Sequence, residues 1–170
     1  EKNRTTLEYY ELARKVKKLT DAYGVPLMID DRVDIALAVD AAGVHVGAED
    51  MPVREARRLM GPDKIVGATA KRVDTAMQAE ADGADYLGVG AIYPTTTKVK
   101  TVLTSVETLQ DICAHVSILV GAIGGLNAEN CEILKGTGIK GICVVSAIMK
   151  QENSYDAAKA LKAKIMTICK

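Results

Sequence analysis

One pattern runs through the chain and constrains its fold more than any other feature. A short, almost wholly apolar run is followed by a stretch with helical spacing, and a glycine then leads into the next apolar run. Ala42-Gly43-Val44-His45-Val46-Gly47 is echoed by Asp82-Gly83-Ala84-Asp85-Tyr86-Leu87-Gly88 and again by Thr137-Gly138-Ile139-Lys140-Gly141-Ile142. Glycine just past a helix closes it in the left-handed conformation. The runs that follow are continuously apolar rather than alternating, as in parallel strands covered by helices on one face and packed inside on the other. The pattern predicts strands at 27–29, 44–47, 64–68, 86–92, 118–123 and 141–148. It predicts helices over 5–23, 33–39, 52–60, 72–81, 105–115, 127–135 and 154–168. In the first helix Leu7, Tyr10, Ala13, Val16 and Leu19 form the apolar face, and Gly24 and Pro26 end it. Six strands alternating with seven helices through short loops make an α/β protein with a parallel sheet.

An open dinucleotide-type sheet would carry a glycine-rich phosphate loop after an early strand, and no GxGxxG joins a strand to a helix here. The polar residues with chemical potential follow several strands in turn: Asp30-Asp31, Glu49-Asp50, Thr69, Thr95 to Lys98, Gly124-Gly125 and Ser146. Sites spread over many strand ends are the habit of the (β/α)8 TIM barrel. The chain then supplies six strands and seven helices of one barrel domain, residues 1–170, with the missing units at the front.

Composition narrows the partners. The 22 Lys and Arg balance the 22 Asp and Glu, so no basic face for nucleic acid is expected. No apolar run approaches the ~20 residues of a membrane helix. The four cysteines, Cys113, Cys131, Cys143 and Cys169, lack CxxC or metal spacing and read as buried, reduced thiols of a cytoplasmic protein.

Three groups of residues carry candidate chemistry. Asp30-Asp31 and Glu49-Asp50 follow consecutive strands, and convergent carboxylates suit a hard divalent ion such as Mg²⁺. Asp31 and Asp50 each stand just before a helix, so from spacing alone plain N-caps are the stronger reading. Gly124-Gly125-Leu126-Asn127 joins a strand to a helix and Val144-Val145-Ser146-Ala147 ends the next strand, a pairing that matches the phosphate site of barrels. A tight turn with an N-cap is the competing reading. Pro94 to Thr101 is long for its place and carries four Thr and two Lys, so it reads either as a phosphate-gripping arm or as a solvated loop. Thr69 faces a site or starts a helix; His45, between two Val, reads as a satisfied interior histidine.

Met28 to Arg32, Gly43 to Pro52, Gly88 to Lys98, Ala122 to Asn127 and Val144 to Ile148, in this order, resemble the thiamine-phosphate synthase (thiamine-phosphate pyrophosphorylase) family. The resemblance implies a (β/α)8 barrel that joins hydroxymethylpyrimidine diphosphate to thiazole phosphate and releases diphosphate. It implies Mg²⁺ on Asp31 and Asp50, with Asp30 beside the diphosphate and Lys98 and Lys2 gripping it. Lys98, Thr69 and Lys2 would be the catalytic set. Thr69, Thr95 and Thr97 would line the pyrimidine and thiazole pockets, and the thiazole phosphate would sit on Gly124-Gly125 near Val145-Ser146. Breaking the pyrimidine C–O bond first, through a carbocation-like species, needs no protein nucleophile, which agrees with the lack of a Ser-His-Asp or Cys-His set. The partners implied are small molecules; a homo-oligomer is left open.

The chain departs from the family pattern at several positions. Asp30 stands where Asn is usual, Ala48 for Gln, Thr69 for Ser, Thr96 for Pro, and Lys71 where His is common. The family's first strand, helix and second strand, and the Gln and Arg before Glu1-Lys2, lie outside the sequence. Two alternatives stand beside the synthase: a thiazole tautomerase-like relative, disfavoured by Lys71 and by the retained acids, and a non-catalytic phosphate-binding barrel fragment.

Overall fold

The computed structural model describes residues 4–95 and 102–169. Its six strands are hydrogen-bonded in chain order, β1 (Met28–Asp30), β2 (Gly43–Val46), β3 (Ile65–Ala70), β4 (Tyr86–Gly90), β5 (Leu119–Ile123) and β6 (Gly141–Cys143). The chain divides into two compact units, Glu1–Ala68 with Ala81–Asp85, and Thr69–Glu80 with Tyr86–Lys170.

In the first unit β1 pairs parallel to β2 with Asp30 opposite His45, and β2 pairs parallel to β3 with Val46 opposite Ala68. Helices α1 (Thr6–Ala22), α2 (Val33–Ala38) and α3 (Val53–Met60) follow the expected positions. Thr5 opens α1 with a reciprocal cap: its Oγ1 accepts the Glu8 N–H, and the Glu8 carboxylate accepts the Thr5 N–H at 2.9 Å. The core holds Ile29, Val33, Ile35, Val44, Val46 and Val66, with Tyr9 and Tyr10 packed against it. The expected apolar face of α1 is only partly used, since Leu7 is 69% and Leu19 59% exposed while Ala13 is buried. Steps of three residues turn back by about 60° each on a 3.6-residue helix, so a stripe five positions long winds off the core at both ends.

Arg57 of α3 ties this unit together. Its guanidinium donates to the carbonyls of Gly83 at 2.9 Å, Gly61 at 2.8 Å and Lys64 at 2.7 Å, and pairs with Asp85. Asp85 in turn accepts the Val66 N–H at 2.7 Å. All these groups lie at the starts of β3 and β4 or the loops that lead into them.

In the second unit β4, β5 and β6 pair parallel, with Gly90 opposite Ile123 and Ile123 opposite Cys143. Helices α4 (Val73–Ala81), α5 (Val106–His115), α6 (Ser146–Met149) and α7 (Ser154–Ile168) complete the fold. Leu87, Val89, Leu109, Ile112, Val120 and Leu134 are buried. Two expectations fail here. The helix expected over 127–135 is a turn followed by a short 3-10 helix, Cys131–Leu134. Asn127 Oδ1 accepts the N–H groups of Glu129 and Asn130 as an N-cap does, and the Cys131 N–H reaches the Asn127 carbonyl at 3.1 Å, so one capped turn forms; it then tightens to 3-10 spacing, with the Lys135 N–H on the Glu132 carbonyl at 3.1 Å. The strand expected over 141–148 stops at Cys143; the Val145 carbonyl accepts from Ile148 and Met149 and starts α6 instead.

Burial also departs from expectation. Leu119 is 60% and Ile123 39% exposed, so one face of β5 is open, and Cys143, opposite Ile123, is exposed as well. A continuous apolar run does not tell a strand covered on two faces from one covered on a single face. All four cysteines are free thiols, but Cys131 alone is buried. Among the described residues no helix is long and apolar enough to cross a membrane.

Candidate active site

The acidic pairs sit where their strands end. Asp31 follows β1 and donates its N–H to the His45 carbonyl at 2.8 Å, so the ladder with β2 runs on to this residue. Its φ of 67° is left-handed, a conformation that Asp tolerates better than most residues. Asp50 lies beyond β2 in a turn whose Gly47 N–H donates to Asp50 Oδ2 at 2.8 Å. Neither aspartate stands at an N-cap position, which is Arg32 for α2 and Pro52 for α3. The capping alternative therefore falls for both. Asp30 ends β1 exposed to solvent, and its carbonyl accepts the Tyr9 hydroxyl at 3.2 Å. Neighbouring strands run ~4.8 Å apart, so the ends of β1 and β2, which lead into Asp31 and Asp50, are adjacent in the first unit. His45 is half-buried within β2.

The hydroxyl residues belong to the second unit. Thr69 is a half-buried residue inside β3, so it does not start a helix. Thr95 is half-buried beyond β4. Lys2, Thr97 and Lys98 lie outside the described residues.

The glycine turn after β5 is dictated by close approach. Gly124 and Gly125 have φ of 99° and 64°. A Cβ on Gly124 would stand 2.4 Å from the Ala91 Cβ, and one on Gly125 would stand 2.7 Å from the Tyr93 Cβ. Only glycine serves at either position. Asn130 braces the turn, its Nδ2 donating to the Gly125 carbonyl at 2.9 Å. Gly125 and Ser146, expected at one phosphate site, do line one cavity of about 260 Å³, together with Leu126, Asn127, Ala147, Lys150 and Gln151. Val145 is 53% exposed and stands next to Ser146. Sequence reasoning missed Lys150, which depends on α6: a strand through 148 would not have set it one turn past Ser146.

The thiamine monophosphate synthase family matches residues 1–148. The thiamine-phosphate synthase 2 of Streptococcus pneumoniae serotype 4 is 54% identical over 168 residues, which are 99% of this chain and 80% of that protein. The chain belongs to the thiamine monophosphate synthase family. The thiamine-phosphate synthase of Enterococcus faecalis is 55% identical over 161 residues, covering 95% of this chain and 76% of the relative. The solved thiamine phosphate pyrophosphorylase of Pyrococcus furiosus superposes with a TM-score of 0.90 at 39% identity, covering all of this chain and 82% of that one. The α/β fold, with six parallel strands and seven α-helices among the described residues, is thus that of the thiamine phosphate pyrophosphorylase.

The donor set bears on the metal that the synthase family implies. Among the described residues no group of three or more His, Cys, Asp or Glu is gathered for a metal ion. Mg²⁺ is ordinarily held by one or two carboxylates together with water and substrate phosphates, not by a full protein cage. Two hard oxygen donors on adjacent strand tips suit that mode. Asp50 Oδ1 makes no hydrogen bond among the described residues, and Oδ2 is oriented by Gly47.

Proposed function

We propose that the chain works as a single domain that joins hydroxymethylpyrimidine diphosphate to thiazole phosphate, forming thiamine phosphate and diphosphate. The observation that carries this reading is the 54% identity over 168 residues to a protein named for that synthesis. Asp31 and Asp50 would hold Mg²⁺, which when bound supplies positive charge to the diphosphate leaving group. Asp30 stands beside the same leaving group, and Lys98 and Lys2 would contribute their ammonium charges to it.

The rest follows from what the substrates need. The pyrimidine amino group feeds electrons to the carbon that loses diphosphate, so the C–O bond breaks ahead of attack. The thiazole nitrogen then donates its lone pair to that carbon. No proton has to be taken by a strong base. Thr69, Thr95 and Thr97 orient the two rings through their hydroxyls, and the Gly124-Gly125 turn with Val145-Ser146 holds the thiazole phosphate. Orientation and exclusion of water are what the protein adds, since water would capture the same carbon.

The test is a discontinuous assay for thiamine phosphate with both substrates, with and without Mg²⁺. Product is expected only when both substrates and Mg²⁺ are present, with turnover abolished by chelation and restored by the ion. Product formed at an unchanged rate by the Asp31→Ala, Asp50→Ala double variant would overturn the assignment.

A further inference from the structure

We propose that Lys150 is a specificity residue for the phosphate of the thiazole substrate, a role that rests on the reading above that this phosphate lies at Gly125 and Ser146. Lys150 lines the same cavity of about 260 Å³ as those two residues. Its backbone N–H donates to the Ser146 carbonyl at 3.2 Å, so one turn of α6 separates them and both stand on one side of it. Among the described residues it is the one charged residue lining that cavity; the other polar side chains there, Asn127, Ser146 and Gln151, are neutral.

The state of its ammonium is the second observation. Lys17, Lys64 and Lys164 hold Asp21, Asp40 and Glu132 respectively. Among the described residues the ammonium of Lys150 makes no ion pair and no hydrogen bond. A cavity whose described lining is a glycine turn, a hydroxyl, two amides and one uncommitted cation, with no carboxylate among the described residues, suits a doubly charged phosphomonoester over a neutral alcohol or a cation. The glycine turn and Ser146 fix the position of the phosphate. Lys150 adds the charge that separates the phosphorylated thiazole from its dephosphorylated form. One charge-assisted hydrogen bond at a partly exposed site corresponds to about a tenfold change in affinity.

Calorimetric titration with thiazole phosphate and with the unphosphorylated thiazole alcohol tests this. Lys150→Gln is expected to weaken the phosphate about tenfold and leave the alcohol unchanged, while Lys150→Arg stays within about threefold of the parent. The phosphate affinity of Lys150→Gln should also fall less steeply with added KCl than the parent's. In steady state KM for thiazole phosphate should rise, with kcat at saturation and KM for the pyrimidine diphosphate unchanged. Equal phosphate affinity in Lys150→Gln and parent overturns the proposal, and so does an equal loss for the alcohol. Ser146→Ala, which keeps the backbone and removes only the hydroxyl, separates the two readings. If it leaves phosphate affinity intact, or if the parent binds no thiazole phosphate, the phosphate site is misplaced and both readings fall. If Ser146→Ala weakens binding and Lys150→Gln does not, the role of Lys150 alone is wrong.

Discussion

The backbone N–H of Gly47 donates to the Asp50 carboxylate at 2.8 Å, so the loop after β2 is closed by the same side chain that it carries to the strand tip. This separates the structural role of Asp50 from its charge. Asp50→Asn keeps an oxygen to accept the Gly47 N–H and loses only the negative charge. It should melt within a few degrees of the parent and lose at least about 100-fold in kcat, the size seen when one electrostatic contact to a developing charge is removed. Gly47→Ala does the reverse: its Cβ would stand 2.9 Å from Asp50 Oδ2 and push the carboxylate aside with its charge intact. The Mg²⁺ concentration for half-maximal rate should rise in Gly47→Ala. An unchanged Mg²⁺ requirement in that variant would detach the loop from metal binding.

Gly124→Ala tests the turn after β5. The added methyl would meet the Cβ and Cα of Ala91 at 2.4 and 2.5 Å, and the φ of 99° is one that alanine adopts only under strain. Strain and overpacking are each worth about 1–3 kcal/mol. The midpoint of urea unfolding should therefore fall by an amount equivalent to at least about 2 kcal/mol. A fully stable Gly124→Ala protein would mean that the turn relaxes freely.

The elements that sequence reasoning located were those whose signal is local and redundant. Each strand was marked by an apolar run with a helix-closing glycine on its N-terminal side in most cases, and all six are found. The sequence pairs Gly124-Gly125 with Ser146 from their place after neighbouring strands, and of these Gly125 and Ser146 line one cavity. The errors lie where one short-range contact outweighs periodicity. At 127–135 the bond from the Lys135 N–H to the Glu132 carbonyl, three residues back, tightens the segment to a 3-10 helix where periodicity points to an α-helix. A valine-rich run past Cys143 looks like strand, yet the Val145 carbonyl starts α6, and Lys150 stayed hidden as a result. The N-cap positions fall at Arg32 and Pro52, one and two residues past Asp31 and Asp50, because spacing places a helix start only to within a residue or two.

Arg57 should matter for stability and not for chemistry. Its guanidinium serves the carbonyls of Gly61, Lys64 and Gly83 and the carboxylate of Asp85, all on the N-terminal side of β3 and β4 and so at the strand ends opposite the candidate site. Arg57→Ala leaves several half-buried acceptors without a donor, and a loss of about 2–4 kcal/mol is expected in urea unfolding. Arg57→Lys should recover little, because one ammonium does not reproduce a planar fork. Turnover per folded molecule should be unchanged; a fall in kcat would show that this clamp reaches the chemistry.

Acid should destabilise the fold through carboxylates held in their charged form. The Ser117 hydroxyl and N–H hold Glu80 below its ordinary 4.5, and the Arg32 guanidinium holds Asp34 below its ordinary 3.8. Hydrogen bonding to Lys164 does the same for Glu132. A carboxylate whose pKa is lower folded than unfolded adds stability that is complete above its unfolded value and is lost as pH falls through the folded one. The urea midpoint should therefore be level from pH 7 to about 5 and drop below about 4.5. Glu80→Gln should be less stable than the parent at pH 7, with the difference closing toward pH 3. A gap that holds constant down to pH 3 would mean that Glu80 acts by packing and not by charge.

Thiol reactivity should rank by exposure. Burial pushes the thiols of Cys113 and Cys169 above their ordinary value, which starves them of the thiolate that reacts. Cys131 is fully buried. Cys143 is exposed at the end of β6. Maleimide at pH 7.5 should therefore add one group quickly, at Cys143, with Cys113 and Cys169 following slowly and Cys131 reacting only in denaturant. Cys143→Ser should abolish the fast phase and leave the later ones in place. If the fast phase survives that substitution, the open face of β5 and β6 is covered in solution, and the exposure of Leu119 and Ile123 beside it would have to be revised with it.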